Sequence, residues 1–302
     1  MKKVIISIIM TLLIVFGIVM LKNCFSYQLP NDAMGIRAVI NKGQVNQLFL
    51  GASSYRKGID ILAVEEQLPG ESFVLTYNGN QPLNMELELK EMLKEQTKIN
   101  TLIVDLNPTM MKEPANLSDK RLLWDTGFSS KWQLWKEITK RDDTDFFAFY
   151  DFFVLSNNEY MVTYPISYPL ISSRYYKGGS LDQDAGTTAE KLNQLEIDEK
   201  GSLHPTQIRA LHSIISLCNE NEIRLIFAET PRYVRMEQDA NYQKKLKEAI
   251  GILEEADVEY LCSENLEFDY TNPSYYTDLV HMSTEGRQAY TQEIIRYLTK
   301  LE

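Results

Sequence analysis

Short, unbroken apolar runs recur along this chain, each closed by a turn signal and followed by a longer stretch whose apolar residues fall three or four apart. The first pattern is that of strands buried on both faces, the second that of amphipathic helices. Gln47–Leu50 predicts a strand that breaks at Gly51, followed by a short helix near Ile59–Gln67 that Pro69-Gly70 ends. Ser72–Thr76 predicts a second strand, closed by the turn sequence Tyr77-Asn78-Gly79-Asn80-Gln81-Pro82. Leu83–Gln96 has helical spacing, and Asn100–Leu106 reads as a third strand stopped by Asn107-Pro108. The alternation resumes with a helix over Pro205–Glu220, a strand over Arg224–Ala228 and a helix over Tyr242–Glu255. A strand over Val258–Leu261 and a closing helix over Thr284–Leu301, capped by Ser283 or Thr284, complete it. This order predicts an α/β fold, a flavodoxin-like three-layer sandwich around a five-stranded parallel sheet.

Between these halves the pattern pauses. Residues 109–203 carry many aromatics (Trp124, Trp132, Trp135, Phe146, Phe147, Tyr150, Phe152, Phe153). They read as an insertion packed on the main fold, with a helix over Lys131–Thr139 and a polar, loop-like Asp182–Leu203. Aromatic clusters of this kind usually serve packing.

The N-terminus departs from the rest. Lys2 and Lys3 precede Val4–Leu21, whose only polar members are Ser7 and Thr11. As a helix this run spans roughly 27 Å, close to a bilayer's hydrocarbon core. A cleaved signal peptide would have a shorter apolar region and small residues at its end, whereas Lys22-Asn23-Cys24-Phe25 follows here. The expectation is an N-terminal transmembrane helix within residues 1–25, membrane contact through 4–21, and a connector over 26–46. The domain over 47–302 would then be extracytoplasmic, by the positive-inside rule.

Composition narrows the function. A chain of 302 residues at 44% hydrophobic can build a full core. A net charge of −11 argues against a nucleic-acid partner. Cys24, Cys218 and Cys262 are too scattered for a disulfide framework or a metal knuckle, so no metal is expected. Neither GxGxxG nor GxxxxGK[ST] occurs, which leaves no basis for a nucleotide or flavin cofactor.

The candidate chemistry sits where predicted strands end. Ser53 follows the first strand, Gly79 the second, Asn107 the third, and Asp278 and His281 the fifth. In an open parallel sheet those ends converge on one crevice. A serine needs a base, a group that fixes the base's tautomer, and donors for the oxyanion. At a separation of three residues, Asp278 can accept from Nδ1–H of His281 and leave Nε2 to take the Ser53 proton. A glycine at 79 lets a backbone N–H approach a ligand, and Asn107 offers a neutral side-chain donor. His204 and His212 read as structural or surface residues.

These segments resemble the SGNH/GDSL hydrolase superfamily. Leu50-Gly51-Ala52-Ser53-Ser54 is similar to its first block, Gly-Asp-Ser, with Ala52 in place of the acid. The resemblance implies Ser53 as nucleophile, Ser54 being the runner-up. Tyr77-Asn78-Gly79 and Asp105-Leu106-Asn107-Pro108 loosely resemble the second and third blocks, implying Gly79 and Asn107 as the oxyanion hole. Asp278-Leu279-Val280-His281, with Gly286 and a helix beyond, closely resembles the fifth. The resemblance covers about 47–107 and 205–300. It is nearest to the membrane-anchored branch that includes the teichoic-acid D-alanylation and the alginate and peptidoglycan O-acetylation proteins. That branch implies a serine esterase or O-acyltransferase acting on an acylated glycan or cell-envelope polymer, beside a membrane-bound O-acyltransferase. The alternative is a non-catalytic, membrane-tethered scaffold that binds a glycan or an acyltransferase partner. An α/β-hydrolase proper is disfavoured, because Tyr55 stands where its nucleophile elbow needs glycine.

Overall fold

The computed structural model describes residues 2–28, 33–140, 148–149, 152–153 and 169–300, without the side chains of residues 19–28 and of Trp124. Five parallel strands form its centre: β1 (Gln44–Gly51), β2 (Ser72–Thr76), β3 (Lys98–Asp105), β6 (Arg224–Ala228) and β7 (Glu259–Leu261). Their order across the sheet is β2-β1-β3-β6-β7, the flavodoxin-like order when the five are counted alone. The direction of winding reverses between β1 and β3, so the crevice of the sheet opens beyond their carboxyl ends.

Successive residues of each strand enter different apolar layers, which explains the unbroken apolar runs. Leu48, Leu50, Phe73, Leu75, Leu102, Val104 and Phe227 belong to one cluster. It is completed from α2 (Ile36–Lys42), α5 (Pro82–Lys94) and the helices Pro205–Glu220 and Ala240–Glu255. Phe49, Val74, Ile103 and Ile226 belong to the opposite cluster. Helices α3 (Ser53–Gly58), α4 (Ile61–Gln67) and Thr284–Thr299 cover that side.

Three differences from the sequence expectation stand out. Ser53 is not in an open turn but is the first residue of α3, with Ala52 as its N-cap. Residues 36–42, expected within a polar connector, form α2, and Ile36, Ala38 and Val39 are core residues. The stretch 182–203, expected as loop, contains a helix over Ala189–Gln194 whose first turn Thr188 caps by accepting from the Lys191 N–H. Its polar composition hid a short helix that the cap starts and that Leu192, wholly buried in the core, anchors.

The insertion begins with α6 (Pro108–Met111), α7 (Arg121–Asp125) and α8 (Phe128–Thr139). The rings of Phe128, Trp132, Trp135, Phe149, Phe152 and Phe153 pack against one another at 4.6–6.5 Å between centroids. Phe146, Phe147 and Tyr150 lie outside the described residues. The hairpin β4 (Tyr175–Tyr176) and β5 (Gly179–Ser180) shields the sheet's edge, where Val74 N–H donates to the Lys177 carbonyl at 2.8 Å.

At the N-terminus α1 runs over Lys2–Gln28. The apolar run 4–21 begins within it, and its side chains are described only to residue 18. Among the described residues no helix is long and apolar enough to cross a membrane, so the spanning anchor expected over 4–21 is not found.

Candidate active site

The site grows from the carboxyl end of the sheet. Beyond β1, Ser53 stands half-buried at the start of α3. Beyond β7, the segment 272–283 folds back over it. Thr277 N–H donates to the His281 carbonyl at 2.9 Å, and Tyr276 pairs with Met282 in an isolated bridge. This brings Ser53 Oγ to 2.8 Å from His281 Nε2 across 228 residues of sequence. On the other side of the imidazole, Nδ1 lies 2.8 Å from Asp278 Oδ2. Asp278 Oδ1 accepts the N–H groups of Val280 and His281, both at 2.8 Å. The carboxylate is thus fixed by its own loop before it orients the ring. Burial by itself would raise the Asp278 carboxyl, but the His281 hydrogen bond and charge, with the two backbone N–H groups, hold it below its ordinary value. Being ionised, it favours the tautomer with hydrogen on Nδ1, which leaves Nε2 as the acceptor facing Ser53.

The neighbouring hydroxyl has another task. Ser54 is buried, and its Oγ donates to Asp105 Oδ2 at 2.6 Å. Asp105, the last residue of β3, also accepts from Thr230 Oγ1 at 3.1 Å and from the Ala52 N–H at 3.5 Å. It therefore supports the Ala52-Ser53-Ser54 corner from beneath, at a point where the turn itself carries no acid. The sequence held a signal for this: Asp105 is the lone acid in an apolar strand, at the end nearest the crevice.

Gly79 and Asn107 both line the cleft with Ser53 and His281, which has a volume of about 100 Å³. Gly79 adopts φ +59, and a Cβ there would approach Ser118 to 2.7 Å, so the turn demands glycine on both counts. Asn107 caps α6 by accepting the Met110 N–H at 3.4 Å, which turns its amide nitrogen inward. That nitrogen lies 3.5 Å from Ser54 Oγ and 3.4 Å from Asp105 Oδ2, at the floor of the cleft. The five candidates from four strand ends are brought to one place.

Arg232 was not among them. It follows β6, the one strand end to which the sequence attached no chemistry. The residue is 1% exposed and lines the cleft, and its Nη1 donates to the Val280 carbonyl at 2.8 Å. Its own carbonyl accepts from Tyr276 Oη at 3.0 Å, so it clamps the histidine loop at two points. The other two histidines behave as expected: His204 Nδ1 accepts the Thr206 N–H at a helix start, and His212 is exposed.

No family model matches the chain, and no curated protein matches it. It is similar to solved structures that include a GDSL-like lipase from Bacteroides thetaiotaomicron, at 11% identity over 87% of this chain and 90% of that one, TM-score 0.40. Another is the acetyl xylan esterase AlAXEase, at 10% identity over 84% of this chain and 100% of that one, TM-score 0.41.

Proposed function

We propose that this chain is a serine esterase of the SGNH/GDSL type that works through an acyl-enzyme on Ser53. The observation that carries the reading is the unbroken hydrogen-bonded line Ser53–His281–Asp278, with 2.8 Å at each junction. His281 Nε2 takes the Ser53 proton as Oγ attacks the ester carbonyl. The oxyanion that forms is held by the Ser53 and Gly79 backbone N–H groups and by the Asn107 amide. When the tetrahedral species collapses, the alkoxide leaves with the proton from His281, and the acyl group remains on Ser53. A water or sugar hydroxyl then loses a proton to Nε2 and attacks the acyl carbonyl, which frees Ser53.

The natural substrate in this reading is an acylated glycan or cell-envelope polymer. With a sugar hydroxyl as acceptor the same site is an O-acyltransferase, working beside a membrane-bound one. Attachment to a membrane through the N-terminal helix belongs to the proposal. Its support is the exposure of Val4, Ile5, Ile8, Leu12 and Phe16 along that helix, behind Lys2 and Lys3.

The reading is tested by treating the full chain with a fluorophosphonate and mapping the adduct, alongside turnover of an aryl acetate. Adduct on Ser53, with Ser53→Ala and His281→Ala each lowering turnover about 10³-fold or more while staying folded, is the expected result. A folded wild-type chain that neither labels nor turns over the ester would replace it with the tethered scaffold.

A further inference from the structure

Two turns surround the candidate oxyanion position, one after β1 and one after β2. Arg56 Nη2 on α3 reaches across to Asn78 Oδ1 at 2.6 Å near the surface, and a buried side chain joins the two turns beneath it. Asn80, directly after Gly79, is wholly buried, and its Nδ2 donates to the Gly51 carbonyl at 3.1 Å and to Glu88 Oε1 at 3.0 Å. Both hydrogens of the amide are spent. Flipping it would set Oδ1 against the Gly51 carbonyl, two acceptors face to face, so its orientation is determined by the backbone.

Glu88 sits on α5 with no exposed surface. Burial, together with the nearby carboxylates of Asp119 and Asp125, pushes its carboxyl well up in spite of the Asn80 hydrogen bond. α5 also buries Glu86 and Glu91, which accept from Ser213 Oγ and Ser130 Oγ. Glu88 is the most deeply buried of the three, and a buried acid is costly unless it has a task. The visible task is to hold the Asn80 amide. Gly51 lies two residues before Ser53, and Asn80 one residue after Gly79. The bond therefore sets the distance between the two backbone N–H groups that must meet one oxygen.

We propose that Asn80, held by Glu88, is a positioning residue that fixes the two halves of the oxyanion hole relative to each other. It touches neither substrate nor nucleophile. This rests on Ser53 as the nucleophile, and it adds a requirement that the triad does not contain. Oxyanion donors act through preorganisation, and misplacement by about 1 Å costs on the order of 10²-fold.

The test is steady-state kinetics on an aryl acetate with the full chain, together with thermal melts and rates of fluorophosphonate labelling. Asn80→Asp places an acceptor against the Gly51 carbonyl, and Asn80→Ser is a second, smaller variant in case the first does not fold. Both are expected to lower kcat about 10- to 100-fold with KM within about twofold, and to slow labelling in parallel. Glu88→Gln, a neutral acceptor of the same shape, keeps kcat within about threefold, whereas Glu88→Leu behaves like the Asn80 variants. A folded Asn80 variant with wild-type kcat overturns the proposal, as does a loss confined to KM or to the melting temperature. If the wild type neither labels nor turns over, the nucleophile reading itself has failed. If the wild type is active and the Asn80 variants match it, only the positioning role has failed.

Discussion

Ser53 and Ser54 are adjacent hydroxyls with opposite surroundings. One faces an imidazole at the cleft, and the other is sealed against Asp105. Ser54→Ala is therefore expected to lower stability by about 1–2 kcal/mol, because Asp105 loses a buried donor, while fluorophosphonate still labels Ser53. Adduct on Ser54 in the wild type would reverse the assignment. Asp278 shows the complementary case. Its side chain is 43% exposed, so removing its charge should disturb the fold little. Asp278→Asn is expected to lower kcat on an aryl acetate about 10²- to 10⁴-fold with KM nearly unchanged, since the amide favours the wrong tautomer of His281. Equal kcat in that variant would remove Asp278 from the mechanism.

At the scale of elements, the histidine loop is set by what lies on both sides of it. Arg232 clamps it from β6, and the closing helix Thr284–Thr299 supports it from behind. Ser283 caps that helix by accepting the Gly286 N–H at 3.2 Å, and its Oγ donates to the Ser274 carbonyl at 2.6 Å. Gly286 lies against the backbone of Tyr275, and a Cβ there would run into the Tyr275 carbonyl. Gly286→Ala is accordingly expected to displace 274–276, to lower the melting temperature, and to reduce kcat through His281 although the residue touches no reacting atom. A variant with unchanged kcat would show that the packing of Gly286 against Tyr275 does not set the position of His281. The glycine was visible in the sequence as a feature of the segment after His281. Its reason, close approach to the backbone of Tyr275 in the loop before its own helix, was not.

At the scale of the molecule, Asp125 links the insertion to the sheet and to the N-terminal side. Its Oδ2 accepts from Tyr77 Oη at 2.8 Å and from the Ile36 N–H at 3.1 Å. Burial pushes its carboxyl up to about 6, against the Tyr77 hydrogen bond and the Arg37 charge. The folded state thus holds this proton more tightly than the unfolded chain, where an aspartate titrates near 3.9. Its contribution is complete below about pH 4 and is lost as pH rises through about 6, with an upper bound on the order of 3 kcal/mol. Melts of Asp125→Asn are expected to lose that part of the pH slope between 4 and 6, and an unchanged slope would place it elsewhere. What the sequence determined by itself follows from local periodicity. The helix Pro205–Glu220 and the strand Arg224–Ala228 appear at their predicted bounds, and the parallel order of the sheet follows from their alternation. The residues at strand ends were readable for the same reason, since a parallel sheet gathers them at one rim. Only the tertiary structure decided which hydroxyl faces His281, that Asp105 supports the turn, that Asn80 bridges two loops, and that Arg232 belongs to the cleft. Those roles arise from hydrogen bonds between segments far apart in the chain, and a pattern with a period of two or 3.6 residues carries no information about such partners.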